Sequence, residues 1–253
     1  MKKKSIKETD YQKYYRQLIL KKIGVVGQKK IFDSKVAVIG AGGLGCPLIL
    51  YLAYSGVGNM GIIDNDKIEL SNLSRQILFT KNDIGKFKTD ISKKAVKKIN
   101  AKIKIKTFTK RLKISNIDEI LGNYNIVCDG TDNFESRLLI NDYCLKNKKI
   151  LISSAINKFD GQLFYFDFKK KIPCFRCFMP EVPDINQNCE SDGIMTTLAG
   201  IAGSMQANEV IKSALNMKND LNGKIMIFNA LDSNFRKVKL SKNPKCKNNY
   251  LHG

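Results

Sequence analysis

Residues 36–45 read Val-Ala-Val-Ile-Gly-Ala-Gly-Gly-Leu-Gly, and they constrain the chain more than any other stretch. A β-branched run passes straight into glycines. Pro47, Leu48, Leu50 and Leu52 then open a helix-like pattern. Gly40, Gly42 and Gly45 have the G-x-G-x-x-G spacing, with Gly43 inside it. A strand that turns sharply into a helix needs residues without side chains at the turn, and a backbone lying against a phosphate needs them too. The helix N-terminus then offers unpaired N–H groups and a positive dipole end to an anion. A second strand-like run, Met60–Ile63, ends in Asp64. That is about twenty residues on, where such folds place a ribose-binding acid. Together these features predict a nucleotide-binding Rossmann-like unit. The loop alone would equally suit a glycine turn in an ordinary α/β sheet.

The rest of the chain extends that reading. Residues 8–32 form a helical preamble, with Tyr11, Tyr14, Tyr15 and Leu18 at helical spacing. A helix is expected from Thr89 to about Asn100, a strand near Ile103–Phe108 and a helix near Ile114–Leu121. The buried-looking strand Ile126–Cys128 ends in Asp-Gly-Thr-Asp-Asn at 129–133, and polar residues at a strand's carboxyl end are where open α/β sheets bind ligands. A helix carrying Arg137, Leu138 and Ile140 follows, then the strand Ile150–Ile152. After Ser154 the run Gly161–Phe168 is aromatic and strand-like with no evident crossover helix, so antiparallel pairing is expected. Residues 169–195 are rich in Pro, Cys, Asp and Asn and read as a mobile loop. A helix with many small residues is expected over 198–216, a strand over Lys224–Asn229 and a polar tail beyond Asn243. The fold class is thus α/β: a Rossmann-like mixed sheet, parallel in its N-terminal part, with an antiparallel C-terminal extension and helices on both faces. One domain covers 1–253, with a nucleotide-binding part over 33–155 and a second part over 156–253.

Composition removes several alternatives. No apolar run is long enough to span a membrane, and the basic start Met-Lys-Lys-Lys-Ser-Ile-Lys-Glu-Thr lacks the apolar segment of a secretory signal. A cytoplasmic protein is expected. The formal charge is +21, and only six of the 44 basic residues are arginines. Nucleic-acid binding is one reading of that charge. The lysines are spread along the chain, which favours a solvated lysine-rich face, although an acidic protein partner would still be attracted. The scarce arginines carry more information, because lysine does not replace a guanidinium fork at a bidentate phosphate site. Seven cysteines in a non-secreted chain argue for thiols, metal ligation or chemistry over a disulfide framework. The single histidine, His252, excludes a Ser-His-Asp triad and an HExxH zinc site. Carboxylates, arginine, lysine, cysteine or metal ions remain for any chemistry.

The motifs, taken in order, are Tyr-Tyr-Arg-Gln at 14–17, the glycine loop at 40–45 and Asp-Asn-Asp at 64–66. Ser-Asn-Leu-Ser-Arg-Gln at 71–76, Gly-Lys-Phe-Lys at 85–88 and Asp-Gly-Thr-Asp-Asn at 129–133 follow. Pro-Cys-Phe-Arg-Cys-Phe at 173–178 and Asn-Cys-Glu-Ser-Asp-Gly at 188–193 complete the set. In this order and spacing the chain closely resembles the MoeB/ThiF family, bacterial relatives of ubiquitin-activating enzymes, over about residues 8–247. The resemblance implies a nucleotidyltransferase that uses ATP and Mg²⁺ to adenylate the C-terminal glycine carboxylate of a ubiquitin-like sulfur carrier ending in Gly-Gly, for molybdenum cofactor or thiamine biosynthesis. It implies a nucleotide-binding set of Gly40, Gly42, Gly43, Asp64, Asp66, Ser71, Asn72, Arg75, Lys88, Asp132 and Asn133. Within that set Asp64 takes the ribose, Asn72, Arg75 and Lys88 the phosphates, and Asp132 the Mg²⁺. Arg16 would reach a phosphate from the neighbouring protomer of a homodimer, to which the small residues at Ala199–Ala207 also point. No rhodanese-like region follows, so a separate sulfur donor protein is expected.

This set suits the reaction. A terminal carboxylate, with pKa near ~3.5, is already ionised at neutral pH and needs no general base. The obstacle is electrostatic, because an anion must strike phosphorus inside a polyanion. Arg16, Arg75, Lys88 and an Asp132-bound ion would offset that repulsion. For Asp132 alone, helix N-capping before Phe134–Ile140 is the competing role. Cys174 and Cys177 form half of a tetrahedral zinc site. The family completes such a site with a second C-x-x-C, but here Cys246 is followed three residues on by Asn249. His252 or water could supply a fourth ligand to Cys174, Cys177 and Cys246, or the site is lost and the thiols are a dithiol or small core hydrophobes. Cys189 matches a cysteine that some relatives use in sulfur transfer, with an unreactive loop thiol as the alternative. Two other functions fit parts of the pattern. The glycine loop and Asp64 alone would allow an NAD-dependent oxidoreductase, and the +21 charge a tRNA-directed ThiF-like enzyme.

Overall fold

The computed structural model describes residues 6–182 and 193–251. Its centre is one eight-stranded sheet, ordered β3-β2-β1-β4-β5-β6-β7-β8. The strands are β1 (Lys35–Ile39), β2 (Asn59–Ile63), β3 (Lys104–Phe108), β4 (Ile126–Asp129), β5 (Ile150–Asn157), β6 (Asp160–Asp167), β7 (Lys224–Asn229) and β8 (Asn234–Lys239). β1 to β5 pair in parallel, and β5 to β8 pair antiparallel. The expected mixed sheet is therefore present, and the change of direction falls after Ser154 in the β5–β6 hairpin.

The parallel strands are apolar on both faces because helices cover both. Val36 and Val38 point into one core with Leu48, Ile49, Leu52 and Val210. Ala37 and Ile39, one residue out of step, enter the other with Leu121, Leu138, Ile140, Phe164 and Phe166. The helices α1 (Glu8–Leu18), α2 (Gly24–Asp33), α3 (Gly45–Ser55) and α4 (Lys88–Ile99) lie before β3. After it come α5 (Ile117–Leu121), α6 (Phe134–Lys146), the single turn α7 (Phe175–Phe178) and the long α8 (Thr196–Ala214).

Several expectations need correction. The preamble is two helices, broken at residues 19–23. β8 had no sequence counterpart, because all six of its residues are exposed and it has no apolar alternation. Both edge strands carry basic side chains, Lys104 and Lys106 on β3 and Arg236, Lys237 and Lys239 on β8. Charge on an unpaired edge opposes sheet-to-sheet association, which gives part of the lysine excess a local cause. The polar tail is not merely solvated, since Cys246 and Asn248 are buried. The small residues of α8 are also packed within the chain. Ala199 and Ala202 are fully buried, and a Cβ at Gly203 would lie 2.3 Å from the Leu44 carbonyl oxygen. That stripe lets α8 sit against the start of α3, which gives these small residues a role within the chain.

Candidate functional site

The order 3-2-1-4-5 puts a topological switch at β1, whose neighbours β2 and β4 lead away on opposite sides. The glycine loop leaves β1 at that point. Gly40 has φ +88, and a Cβ there would lie 2.8 Å from the Gly130 carbonyl oxygen. Gly45 is tighter still, its hypothetical Cβ only 2.0 Å from the Gly40 carbonyl oxygen. Gly42 differs, with Gln76 Nε2 at 3.8 Å as its nearest neighbour. Gly40 and Gly45 are thus glycines because the loop folds on itself and on the β4 turn. Gly42 leaves room above the loop.

Asp64, at the end of β2, is tied to this loop. Its carboxylate accepts hydrogen bonds from the Ala41 N–H at 2.7 Å and the Asp66 N–H at 2.8 Å. Burial pushes its pKa up, while nearby Lys88 and these two N–H groups act in the opposite direction. Lys88, at the start of α4, is buried with its ammonium 2.9 Å from the exposed carboxylate of Asp66. Its backbone N–H also donates to the Asp66 carbonyl. Arg75 lies across the loop, its Cγ 3.5 Å from where a Gly43 Cβ would be. Its guanidinium donates to the Ser71 carbonyl at 3.2 Å. Asn72 turns its side-chain oxygen to the Glu69 N–H at 3.3 Å. Asp64, Arg75 and Lys88 are therefore gathered around one loop, with Ser71 and Asn72 held in the turn that carries Arg75.

Asp129–Asn133 closes the opposite side, since Gly130 touches Gly40. The Asp132 side chain is exposed, and its Oδ1 accepts a bond from Asn133 Nδ2 at 3.3 Å. Asn133, not Asp132, caps α6, accepting from the Ser136 N–H at 2.9 Å. The competing capping role for Asp132 thus falls to its neighbour. Arg16 is exposed on α1. Cys189 and His252 lie outside the described residues.

Beneath this turn is a buried polar group that the sequence reading did not single out. Asp129 is fully buried. Its Oδ1 accepts from the Thr131 N–H at 3.0 Å and hydroxyl at 2.6 Å, and its Oδ2 from the Ser153 hydroxyl at 2.6 Å. Gln206 Nε2 donates to the Asp129 carbonyl at 2.8 Å. Arg137, 5 % exposed, sets Nε 3.5 Å from Asp129 Oδ2 and donates from one terminal nitrogen to the carbonyls of Thr131 (2.7 Å) and Ser154 (3.3 Å). A cue was present, because Arg137 is one of only six arginines and follows an acid at the end of an apolar strand.

A second group is fastened to α6 beside it. The sulfurs of Cys174, Cys177 and Cys246 are all within 4.8 Å of one another, and those of Cys174 and Cys246 are 3.8 Å apart. Four sulfurs about 2.3 Å from a central ion would be about 3.8 Å apart, so the cluster could hold a metal ion. Burial, with the two neighbouring thiols, pushes the Cys174 thiol up to about 12. Cys177 N–H donates to the Cys174 carbonyl at 2.9 Å, and Asn249 N–H donates to the Cys246 carbonyl at 2.8 Å. The two turns repeat one pattern, and Asn249 occupies the place a fourth cysteine would take. Arg176 and Asn248 both bond Asp142 of α6, and Phe175 N–H bonds Asn141. The knuckle is thereby fastened to α6.

A cleft of about 370 Å³ opens between Arg111 and Lys113 on one side and Glu135 and Ser136 on the other. It contains none of the residues singled out from the sequence, so the contacts around the glycine loop, not cavity size, define the candidate site.

A glycine loop at the switch point of a parallel sheet, with an antiparallel extension and a cysteine knuckle, defines a Rossmann-like α/β protein of a particular kind. The sequence matches the ThiF family over residues 14–248, and the chain belongs to that family. It is 43% identical over 234 residues to a Porphyra purpurea protein described as a probable molybdopterin-synthase adenylyltransferase, covering 91% of this chain and 61% of that one. It is 40% identical over 237 residues to a Culex quinquefasciatus protein described as adenylyltransferase and sulfurtransferase MOCS3, covering 93% and 54%. A sulfur carrier protein adenylyltransferase of Thermus thermophilus is 36% identical over 243 residues, covering 94% and 90%. The chain thus spans little more than half the length of the first two relatives. Among solved structures, E. coli MccB with MccA-N7isoASN gives a TM-score of 0.82 at 22% identity, covering 94% of this chain and 74% of that one, which shows a shared fold. Among the described residues no helix is long and apolar enough to cross a membrane.

Proposed function

We propose that the chain adenylates the C-terminal glycine carboxylate of a ubiquitin-like sulfur carrier, with ATP as the nucleotide and pyrophosphate as the leaving product. The observation that carries this reading is the convergence of Asp64, Arg75, Lys88 and the Asp132 turn on one glycine loop. Family membership and the descriptions of the relatives support it, and favour neither an NAD-dependent oxidoreductase nor a tRNA-directed enzyme.

In the proposed reaction a carboxylate oxygen of the carrier tail forms a bond to the α-phosphorus. The bond from that phosphorus to the bridging oxygen breaks, and pyrophosphate leaves with the electron pair. No proton moves, so no histidine is required. The glycine loop receives the phosphates, with Gly42 keeping the space above it free. Asp64 orients the ribose. Arg75 and Lys88 stabilise charge on the triphosphate as it shifts toward the leaving group. Asp132, an exposed hard-oxygen donor with Asn133 beside it, suits Mg²⁺, which would offset the remaining phosphate charge. Arg16 enters from the second protomer of a homodimer. Cys174, Cys177 and Cys246 fit zinc in a structural role, fastening the polypeptide after β6 to α6. Cys189 would serve the later sulfur-transfer step.

The test is ATP–pyrophosphate exchange with purified candidate carriers ending in Gly-Gly. Exchange should depend on one such carrier and vanish in Asp132→Ala. A near-normal rate in that variant would remove Asp132 from the mechanism, and no exchange with any Gly-Gly carrier would sink the proposed substrate.

A further inference from the structure

We infer that Arg137 is a positioning residue that fixes the Asp129–Asp132 turn for cation binding, braced from behind by the cysteine knuckle. The inference rests on the reading of Asp132 as the Mg²⁺ ligand. Arg137 touches neither the glycine loop nor the exposed carboxylate. It grips the backbone immediately before that carboxylate. One terminal nitrogen reaches the Thr131 carbonyl, immediately before Asp132, and the Ser154 carbonyl on β5. The same guanidinium faces the buried Asp129 carboxylate, whose other oxygen is already bonded to the Thr131 N–H and hydroxyl. Thr131 is thus held through its N–H, hydroxyl and carbonyl. Little freedom remains for the residue that follows.

The opposite face of Arg137 is also occupied. Its guanidinium carbon lies 5.7 Å from the centre of the Phe175 ring, inside the Cys174–Cys177 turn. Phe175 is 1 % exposed, and its N–H is bonded to Asn141 of α6. Asn133 caps the same helix that carries Arg137, Asn141 and Asp142. The knuckle, α6 and the Asp132 turn therefore form one braced unit. A site held by rigid neighbours binds its cation in a single geometry, whereas a loose one loses affinity without losing the ligand.

The experiment is ATP titration by calorimetry, with and without Mg²⁺, on the natural chain and on Arg137→Lys and Phe175→Leu. Lysine keeps a positive charge, but its single nitrogen cannot hold the Thr131 and Ser154 carbonyls, as one arginine nitrogen does, while a second nitrogen faces Asp129. Leucine leaves the site side untouched and removes the brace. Mg²⁺ is expected to tighten ATP binding by tenfold or more in the natural chain. In Arg137→Lys that factor should fall below about threefold while the Mg²⁺-free affinity changes less than twofold. Phe175→Leu should shift the same ratio in the same direction, and supplies the test should the lysine variant fail to fold. A purely structural role would lower the melting temperature and leave the Mg²⁺ factor intact; that result overturns the inference, as does equal weakening with and without Mg²⁺. If Mg²⁺ fails to tighten ATP binding in the natural chain, Asp132 is no cation ligand and the inference falls with it. If Mg²⁺ does tighten binding but no carrier supports exchange, only the proposed substrate is lost.

Discussion

Lys88 Nζ and Asp66 Oδ2 are 2.9 Å apart, so a buried cation is held by an exposed carboxylate at the edge of the glycine loop. The two partners are not equivalent. The lysine has left water and must keep an anion; the aspartate has not. A phosphate arriving above Gly42 could replace Asp66 as the partner of Lys88, whereas the buried ammonium has no such substitute in the proposed reaction. Lys88→Met should therefore reduce kcat/KM for exchange by about a hundredfold or more, the scale seen when one transition-state charge contact is removed. Asp66→Asn should cost less than about tenfold. Comparable losses in the two variants would mean that Asp66 acts directly on the nucleotide.

The glycine loop offers a contrast between folding and binding. A Cβ at residue 45 would sit 2.0 Å from the Gly40 carbonyl oxygen, a backbone atom that cannot turn aside. At residue 42 the nearest atom is 3.8 Å away and belongs to a side chain. Gly45→Ala should destabilise the chain by at least the 1–3 kcal/mol typical of overpacking, roughly 2–4 °C per kcal/mol in melting temperature. Gly42→Ala should melt within about 2 °C of the natural chain and bind ATP at least tenfold more weakly, because the methyl group enters space the phosphates need. Thermal melting beside ATP titration separates the two effects.

Asp64 makes a pH prediction whose sign follows from burial. In the unfolded chain its carboxyl titrates near 3.8, and in the fold burial raises that value. Between the two values the folded state holds more protons than the unfolded one. The Asp64 contribution to stability is therefore largest below the ordinary carboxyl value and declines as pH rises through the folded value, after which it is constant. Asp64→Asn lacks this decline. Urea unfolding of both proteins from pH 4 to 7 should show the variant gaining stability relative to the natural chain as pH rises. A constant difference across that range would mean that Asp64 titrates alike in both states.

The cysteine knuckle should be metal-dependent. Protein purified without a histidine tag is expected to carry about one zinc per chain. Cys246→Ser should lose it, with a lower melting temperature. Asn249 stands at the matching position of a turn that repeats the Cys174–Cys177 turn. Asn249→Cys should therefore slow zinc removal by a chelator at least tenfold, since a fourth thiolate replaces a weaker ligand. Zinc far below stoichiometric in the natural chain would return these cysteines to the core as packing.

Much of this arrangement is legible in the chain because its physical demands are local. Gly40 and Gly45 are needed where a strand turns into a helix, and Asp64 stands at the end of the next strand. These requirements show in consecutive residues. Lys88 and Arg75 become meaningful only as part of a family pattern, since a lone lysine at a helix start is ordinary. Arg137 escaped notice because its partners, Asp129, Ser154 and Phe175, come from three separate elements and meet only in the fold. β8 escaped for the opposite reason: an exposed edge strand has no buried face, so no alternation marks it. The small residues of α8 were ambiguous in the sequence because tight packing against another copy and tight packing against α3 ask for the same side chains.

Arg16 is exposed on α1, while Asp132 is exposed on the turn between β4 and α6, whose Gly130 lies against Gly40. If each site of a homodimer takes Arg16 from one protomer and Asp132 from the other, two inactive variants can complement each other. In a dimer pairing Arg16→Ala with Asp132→Ala, one site carries both lesions and the other carries neither. Random mixing makes about half of the dimers mixed, each with one of two sites intact, so about a quarter of the natural activity should return. The check is pyrophosphate exchange after subunit exchange of the two purified variants, with each alone as control. Recovery near a quarter supports a shared site. No recovery, with mixed dimers demonstrated by mass spectrometry, would place Arg16 and Asp132 in the same protomer's site or remove Arg16 from the reaction.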